Sequence, residues 1–307
     1  MKKNFLKKIN DKYMSEIWNI GFVYLNKEKI LESDNFDVKW LKHNYKDRWF
    51  ADPFILKIDS QEIVLLAEDY LIASEKGRIS KLTIDRNNVK LLSCEVILEL
   101  ESHLSFPAIF RYKNDTYIYP ENSSKNNLII YKYSEKENKI EKSSILVNEP
   151  LTDAIITKQN DKYYIFSTKK PFQNKNILNI YSSSNWNGPY SFDHNFIFND
   201  NCARNAGDLF YINEKVYRPA QDCNTGYGKG IVLQEVIFNK NRFTFEELKR
   251  YYPSSHKWNL GLHTFNIYDN FIVTDGKKYY TPFLRKLFIR LKNLSFIKKS
   301  YKAITKK

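Results

Sequence analysis

Five segments of this chain repeat one pattern at a nearly constant interval. Each is an apolar run, then a turn built on Asn or Asp, then a second run rich in Tyr, Val and Ile. They occupy residues 51–69, 106–122, 152–168, 206–222 and 262–276, with turns at Asp59, Asn114, Asn160, Asn213 and Asp269. The turns are 55, 46, 53 and 56 residues apart. A fixed period near fifty, made of strand–turn–strand units, is the pattern of propeller blades with four strands each. Further strand-like runs at 77–84, 127–134, 176–184 and 228–238 lie between the hairpins and supply outer strands. The segment IWNIGFVYL (17–25) precedes the first hairpin and reads as a strand that closes the ring against the last blade. A sandwich of similar strand count is the alternative, and the even spacing argues against it.

The predicted fold class is therefore all-β, a five-bladed β-propeller over 17–280, after a basic N-terminal segment (1–16). Composition agrees: aromatics are 16% of the chain, mostly Tyr and Phe, which favour strands. In the remainder, 281–307, Phe283, Leu284, Leu287, Phe288, Leu291, Leu294 and Ile297 recur at helical spacing among Lys and Arg with no acid. This predicts a short C-terminal basic amphipathic helix of the kind that lies on anionic membrane surfaces. The net charge of +14 also suggests an anionic partner. No secretion signal and no apolar run long enough to span a bilayer is present, so a cytoplasmic location at the inner face of the cell membrane is expected. Three widely spaced cysteines form no disulfide framework and no CxxC pair. Dinucleotide, P-loop, nucleophile-elbow and zinc signatures are missing, so no cofactor and no metal are predicted. A nucleic-acid partner is not expected, because aromatics do not alternate with base-reading residues.

In a hairpin, the start of the first strand and the end of the second lie side by side. If each hairpin is the inner pair of its blade, all five such ends meet around one mouth of the channel. The residues there are Asp52 with Glu68 and Asp69; His103 and Pro107 with Glu121; Asp153 with Thr168 and Lys169; Arg204 and Asn205 with Arg218, Gln221 and Asp222; and His263 with Asp275. Binding and catalytic groups commonly sit on such strand ends. Trp49 and Trp258 are candidates for stacking on a sugar face, with a core role as the alternative. His263 and His103 have the alternative of a hydrogen-bonded structural histidine, and Arg204 and Arg218 of salt bridges to Asp208 and Asp222.

The motifs WFADPF (49–54), SHLSFPAIF (102–110), YPEN (119–122), TDAII (152–156), SSNWNGPYSFDHN (183–195), ARNAGDLF (203–210), YRPAQDC (217–223), YG (227–228) and HTFN (263–266) occur in that order. On these residues the chain resembles the propeller domain at the N-terminus of plant glucosamine inositolphosphorylceramide transferases and its bacterial relatives. More distantly it resembles the five-bladed arabinanase, xylosidase and levansucrase furanosidase superfamily. That resemblance implies three carboxylates: a first in a DP dipeptide of blade one, matched by Asp52; a second, which tunes the acid's pKa, opening blade three, matched by Asp153; and a general-acid Glu opening blade four. At the last position this sequence reads ARNAG, and Glu121 of blade two is the substitute candidate.

Glycoside hydrolysis needs one carboxyl to protonate the leaving oxygen and another to activate water or attack the sugar. Transfer from an activated donor needs a base for the acceptor hydroxyl and cations for a departing phosphate. With Asp52 as base and Arg204 and Arg218 as clamp, the sequence leans toward a glycosyltransferase of cell-surface polysaccharide or glycolipid assembly. Its partners would be a phosphate-bearing sugar donor and a glycan or lipid-linked acceptor. A furanosidase-type hydrolase and a non-catalytic glycan-binding propeller are the alternatives.

Overall fold

A computed structural model describes residues 15–25 and 27–280. Twenty strands form five sheets of four. Blade one holds β3 (Arg48–Ile58), β4 (Glu62–Leu71), β5 (Lys76–Asp85) and β6 (Lys90–Leu98). Blade two holds β7 (Ser105–Tyr112), β8 (Asp115–Glu121), β9 (Leu128–Ser134) and β10 (Lys139–Val147). Blade three holds β11 (Leu151–Gln159), β12 (Lys162–Lys169), β13 (Ile177–Ser183) and β14 (Ser191–Ile197). Blade four holds β15 (Phe210–Ile212), β16 (Lys215–Asp222), β17 (Gly230–Asn239) and β18 (Arg242–Tyr251).

The fifth blade is assembled from both ends of the described chain. β19 (Phe265–Tyr268) and β20 (Phe271–Tyr280) are joined by β1 (Ser15–Tyr24) and β2 (Lys39–Trp40), in the order β19-β20-β1-β2. The closing strand expected at 17–25 is thus β1, paired antiparallel with β20 from Ser15↔Tyr280 to Tyr24↔Phe271. Among the described residues the only helical pieces are two short 3₁₀ turns. The basic helix expected over 281–307, and most of the N-terminal segment, lie outside the described residues.

The turns explain the register. Asn160, Asn213 and Asp269 take φ of 55°, 47° and 52°, a left-handed conformation that Asn and Asp tolerate better than most residues. Asp59 instead accepts the backbone N–H groups of Gln61 and Glu62, each at 2.8 Å. Apolar side chains then pack between neighbouring blades. Leu65 and Leu82 of blade one meet Phe22 and Val273 of blade five, while Phe166 and Ile180 of blade three meet Val232 and Phe245 of blade four. Inner strands are covered on both faces, so β4 is buried continuously from Ile63 to Asp69 rather than at alternate positions.

One irregularity repeats and decides where the site lies. β3, β7 and β11 each lose register at the same point, between Ala51 and Phe54, Ser105 and Ala108, and Thr152 and Ile155. In each, one residue takes a positive φ: Asp52 (49°), Phe106 (46°) and Asp153 (46°). Such a bulge bends the strand and re-aims a side chain. Here it brings the Asp52 and Asp153 side chains into the hydrogen-bonded cluster that the strand ends form.

Candidate functional site

The residues cross-strand from the bulges complete a ring. Ala51 pairs with Glu68, Ser105 with Glu121 and Thr152 with Thr168. In blade four the Gln221 N–H donates to the Arg204 carbonyl, and in blade five the Thr264 N–H donates to Asp275 Oδ1 at 3.1 Å. The mouth predicted from strand ends is therefore where the structure gathers Asp52, Glu68, Glu121, Asp153, Gln221, His263 and Asp275, all of them buried.

Two linked clusters make up the ring. The first spans blades five and one. Asp275 Oδ2 lies 2.6 Å from His263 Nδ1 and accepts the Asp52 N–H at 3.2 Å, while its Oδ1 accepts the His263 N–H at 2.9 Å. His263 Nε2 faces Asp52 Oδ1 at 3.5 Å. Asp52 also accepts the Thr264 hydroxyl at 2.7 Å and the Phe106 N–H at 3.0 Å. Burial works against a charge on His263, yet Asp275 and Asp52 outweigh it and hold its pKa above the ordinary imidazole value. Burial alone would lift Asp275, but His263 and the surrounding donors bring it below the usual carboxylate value. Asp52 is lifted by burial and partly held down by His263. The proton therefore sits on the imidazole, oriented by Asp275 toward Asp52.

The second cluster spans blades two, three and four. Asp153 Oδ2 accepts from Arg204 Nε at 2.6 Å and from Gln221 Nε2 at 2.7 Å. Glu121 Oε2 accepts the Asp153 N–H at 3.2 Å and stands 3.6 Å from the Arg204 guanidinium. Burial pushes Asp153 up to about 7, with Arg204 opposing and the Glu121 charge adding to the rise. A carboxyl that titrates near neutrality is suited to deliver a proton at pH 7. Tyr227 closes the space between the clusters, with the Arg204 guanidinium 4.7 Å over its ring and His263 5.2 Å away edge-on.

Glu68 and His103 form a smaller pair. The Gly77 N–H donates to His103 Nδ1 at 2.9 Å, so the proton of the neutral ring lies on Nε2, 3.4 Å from Glu68 Oε1. Burial, reinforced by Asp52 and Glu121, pushes Glu68 well above the usual carboxylate range, and burial lowers His103. His103 thus serves blade one, not the Glu121 side where the chain order suggested it.

Several expected ligand contacts take other roles. Arg218 does not reach the mouth. Its guanidinium is fully buried between Phe198 and Phe245 and donates to Asn205 Oδ1 at 2.7 Å, to Gln234 Oε1 at 2.5 Å and to the Ala203 carbonyl. Asn205 spends its amide on the carbonyls of Asp153 and Phe166, at 2.6 and 2.8 Å, and so braces the bulge. Asp222 binds Arg250 at 2.9 Å and the Tyr252 hydroxyl at 2.8 Å. Arg204, placed as expected, is committed to carboxylates and does not pair with Asp208. Trp49 stacks on Tyr70 at 4.3 Å and lines a cleft beside the mouth, and Trp258 is buried in the wall of the same cleft.

Three contributors lie in the segments HTFN, YG and IWNIGFVYL but had no site role from sequence: Thr264, Tyr227 and Trp18. The Trp18 ring stacks on His263 with centroids 3.9 Å apart and 15° between planes. The position of Trp18 in the closing strand carries its signal, because that strand lies directly against β20. The described residues hold one group with metal-ligand proximity, Asp52, His263 and Asp275. Its 2.6 Å Nδ1–Oδ2 contact is a hydrogen-bond distance that a shared proton fills, and an ion would have to displace it.

Comparison with known proteins agrees with this fold. A family described as "Glucosamine inositolphosphorylceramide transferase 1, N-terminal" matches residues 38–262. Glucosamine inositolphosphorylceramide transferase 1 of Oryza sativa subsp. japonica is 27% identical over 212 residues, covering 67% of this chain and 28% of that protein. The Arabidopsis thaliana protein of the same name is 26% identical over 227 residues, covering 69% and 29%. The chain therefore spans under a third of the length of these relatives. Among solved structures, an exo-β-1,3-galactanase from Phanerochaete chrysosporium superposes with a TM-score of 0.54 at 11% identity, over 72% of this chain and 58% of that one. An α-L-arabinofuranosidase from Podospora anserina gives 0.54 at 11%, over 78% and 94%. A thermostable family-43 glycoside hydrolase gives 0.53 at 10%, over 72% and 84%. These likenesses show the five-bladed fold.

Proposed function

We propose that this chain, which belongs to the family of glucosamine inositolphosphorylceramide transferase N-terminal domains, is a carbohydrate-active enzyme that transfers a glycosyl group at the propeller mouth. The observation that carries the reading is a pair of buried carboxyls in different surroundings, Asp153 against Arg204 and Glu121 and Asp52 against His263. Asp153 holds a proton up to about pH 7 beside Glu121, while Asp52 faces the charged His263. Glycosyl transfer uses such a pair. Asp153 gives its proton to the oxygen of the leaving group as the bond from the anomeric carbon to that oxygen breaks. Asp52 takes the proton of the acceptor hydroxyl as the new carbon–oxygen bond forms. His263 and Asp275 balance the charge at Asp52 through both steps. Arg204 sets the affinity of Asp153 for its proton rather than clamping phosphate.

The absence of a free arginine at the mouth among the described residues favours a donor whose phosphate is held elsewhere. The acceptor would be a glycan or a lipid-linked sugar in cell-surface assembly. The basic segment 281–307 supports work at the inner, cytoplasmic face of the membrane. Co-flotation with anionic vesicles, with and without 281–307, tests that placement, and equal binding removes it. Hydrolysis is the second reading, supported by the same carboxyls, with water in place of the acceptor hydroxyl.

The test is incubation of purified protein with nucleotide-sugar and lipid-linked donors, glycan acceptors and aryl furanosides, with products identified by mass. Transfer that disappears in Asp52→Asn and Asp153→Asn supports the proposal. Cleavage of aryl furanosides with no transfer replaces it with hydrolysis. Ligand binding without turnover leaves a glycan-binding module.

A further inference from the structure

A cleft of about 910 Å³ opens beside the mouth, between the outer edges of blades five and one. Its floor is the place where Lys42 bridges to Lys90, with the Lys42 N–H donating to the Val89 carbonyl and the Leu91 N–H to the Lys42 carbonyl. The volume is that of a small-molecule site.

The lining has three properties that belong together. It carries Lys42, Lys46, Lys90, Lys257 and Lys278, with Arg48 at the rim, and no carboxylate. Arg48 is already engaged by Asp47 and Asp69. Lys42 and Lys257 make no salt bridge with a described residue, and Lys90 faces the charge of Asp85 across β5 and β6, whereas Lys76 and Lys81 of the same blade pair closely with Glu99 and Glu95. The lysines also crowd one another, since burial and then the charge of Lys257 depress Lys278.

Flat aromatic surface stands beside these cations. Trp40 and Trp258 lie 5.6 Å apart in the cleft wall, and the Lys278 ammonium sits 4.3 Å over the Trp258 ring.

Three buried polar atoms in the lining have no hydrogen-bond partner: Trp258 Nε1, His43 Nδ1 and Asn19 Oδ1. Native proteins rarely leave such atoms unpaired. Asn19 is held in place by donating its amide to the Leu41 carbonyl at 2.9 Å, which leaves only its oxygen for a donor. The indole N–H of Trp258 can only donate. The lysines and the aromatic wall of the cleft thus suit a ligand with anionic oxygens and a flat face.

We propose that this cleft binds the phosphate-bearing part of a sugar conjugate, the lysines taking the phosphate oxygens and the aromatic wall a ring of the ligand. It supplies the phosphate seat that the mouth lacks, and it rests on the transfer reading only for the sugar half of the ligand. Trp18 links the two places, because it lines the cleft and stacks on His263. A ligand seated with its phosphate in the cleft would direct its sugar past Trp18 toward Asp52.

The test is calorimetric titration of the full-length protein with uridine 5′-diphosphate, inorganic pyrophosphate and uridine. The diphosphate and pyrophosphate bind, and both weaken several-fold as NaCl rises from about 50 to about 300 mM, as screening requires. Tighter binding of uridine 5′-diphosphate than of pyrophosphate assigns a nucleoside to the aromatic wall. Equal binding assigns phosphate alone, as a lipid-linked diphosphate would present it. Lys42→Glu with Lys257→Glu, both on exposed side chains, lowers affinity about tenfold or more. Asp52→Asn binds as the wild type does, so loss of turnover with binding intact counts against the transfer reading and not against the cleft. Failure of the folded wild type to bind either phosphate compound overturns the proposal. So does uridine binding as tightly as its diphosphate, or unchanged affinity in the double lysine variant.

Discussion

Replacing Arg204 by Met should move the proton of Asp153 upward by about two to three pK units. Arg204 donates to Asp153 Oδ2 at 2.6 Å, and both side chains are nearly enclosed. Charge centres about 4 Å apart at an effective dielectric of about 20 interact by roughly 4 kcal/mol. At about 1.4 kcal/mol per unit, that is near three units, less what Gln221 and rearranged water recover. Asp153 starts at about 7, so in the variant it stays protonated through pH 8. The readout is carboxyl ¹³C NMR of Asp-labelled protein against pH, with Arg204→Lys as the control that keeps the charge and loses the fork.

Stability follows with a defined sign. The folded pKa of Asp153 is raised above its unfolded value of about 4, so the folded state binds more protons in between. Its stabilising contribution is complete below pH 4 and is lost as pH rises to about 7. In Arg204→Met the loss continues to higher pH, so urea unfolding should show the variant falling further behind the wild type between pH 7 and pH 9. An Asp153 titration that stays put or moves down would refute the assignment of Arg204 as the group that tunes it.

Asp275→Asn removes the acceptor of the imidazole N–H, so the His263 pKa should drop below its wild-type value, visible by histidine NMR, with a stability loss of about 2–4 kcal/mol in urea unfolding. Arg218→Met leaves the oxygens of Asn205, Gln234 and Ala203 without their buried donor, and should cost roughly 3–6 kcal/mol in the same assay. Gly77→Ala places a Cβ 2.4 Å from the Leu104 carbonyl oxygen and 2.6 Å from Glu68 Oε1, so it should destabilise by about 1–3 kcal/mol and raise the His103 pKa as the ring loses the Gly77 N–H and moves further into solvent.

The blades were legible because the cue is local: Asn and Asp at the turns, apolar runs on either side, and an even period. The mouth was legible in outline for the same reason. The individual cations were harder to place. Arg218 and Asp222 lie on the same side of β16, four positions apart with Ala220 midway, and Gln221 faces the other way. Gln221 reaches Asp153, whereas Arg218 turns inward to Phe198 and Phe245 and Asp222 to Arg250. The same alternation separates Glu68 at the mouth from Asp69, which serves Arg48 and Arg78. Strand parity was available in the sequence for these pairs. The bulges were not, because Asp52, Phe106 and Asp153 share a backbone shape and no common residue type. The cleft was also hidden, since residues 40–49, 90–93 and 257–258 come together only when the ring closes.

The pairing of β1 with β20 also sets an order of assembly. The Thr264–Asp52 hydrogen bond joins residues 212 positions apart, and the bond from Asp52 to Asp275 spans 223. Blades two to four are each made from one continuous stretch of chain and can form as soon as that stretch is available. The pocket around Asp52 depends on the most non-local contacts of the fold, the kind that form slowly. Without the latch between the first and last strands, the chain can hold the Asp153, Glu121 and Arg204 cluster of blades two to four but not the Asp52, His263 and Asp275 half of the site. A ligand that bridges Trp18 and Asp52 would hold that latch shut, so slower exchange of the β1 amides on binding would report the site from the far side of the seam.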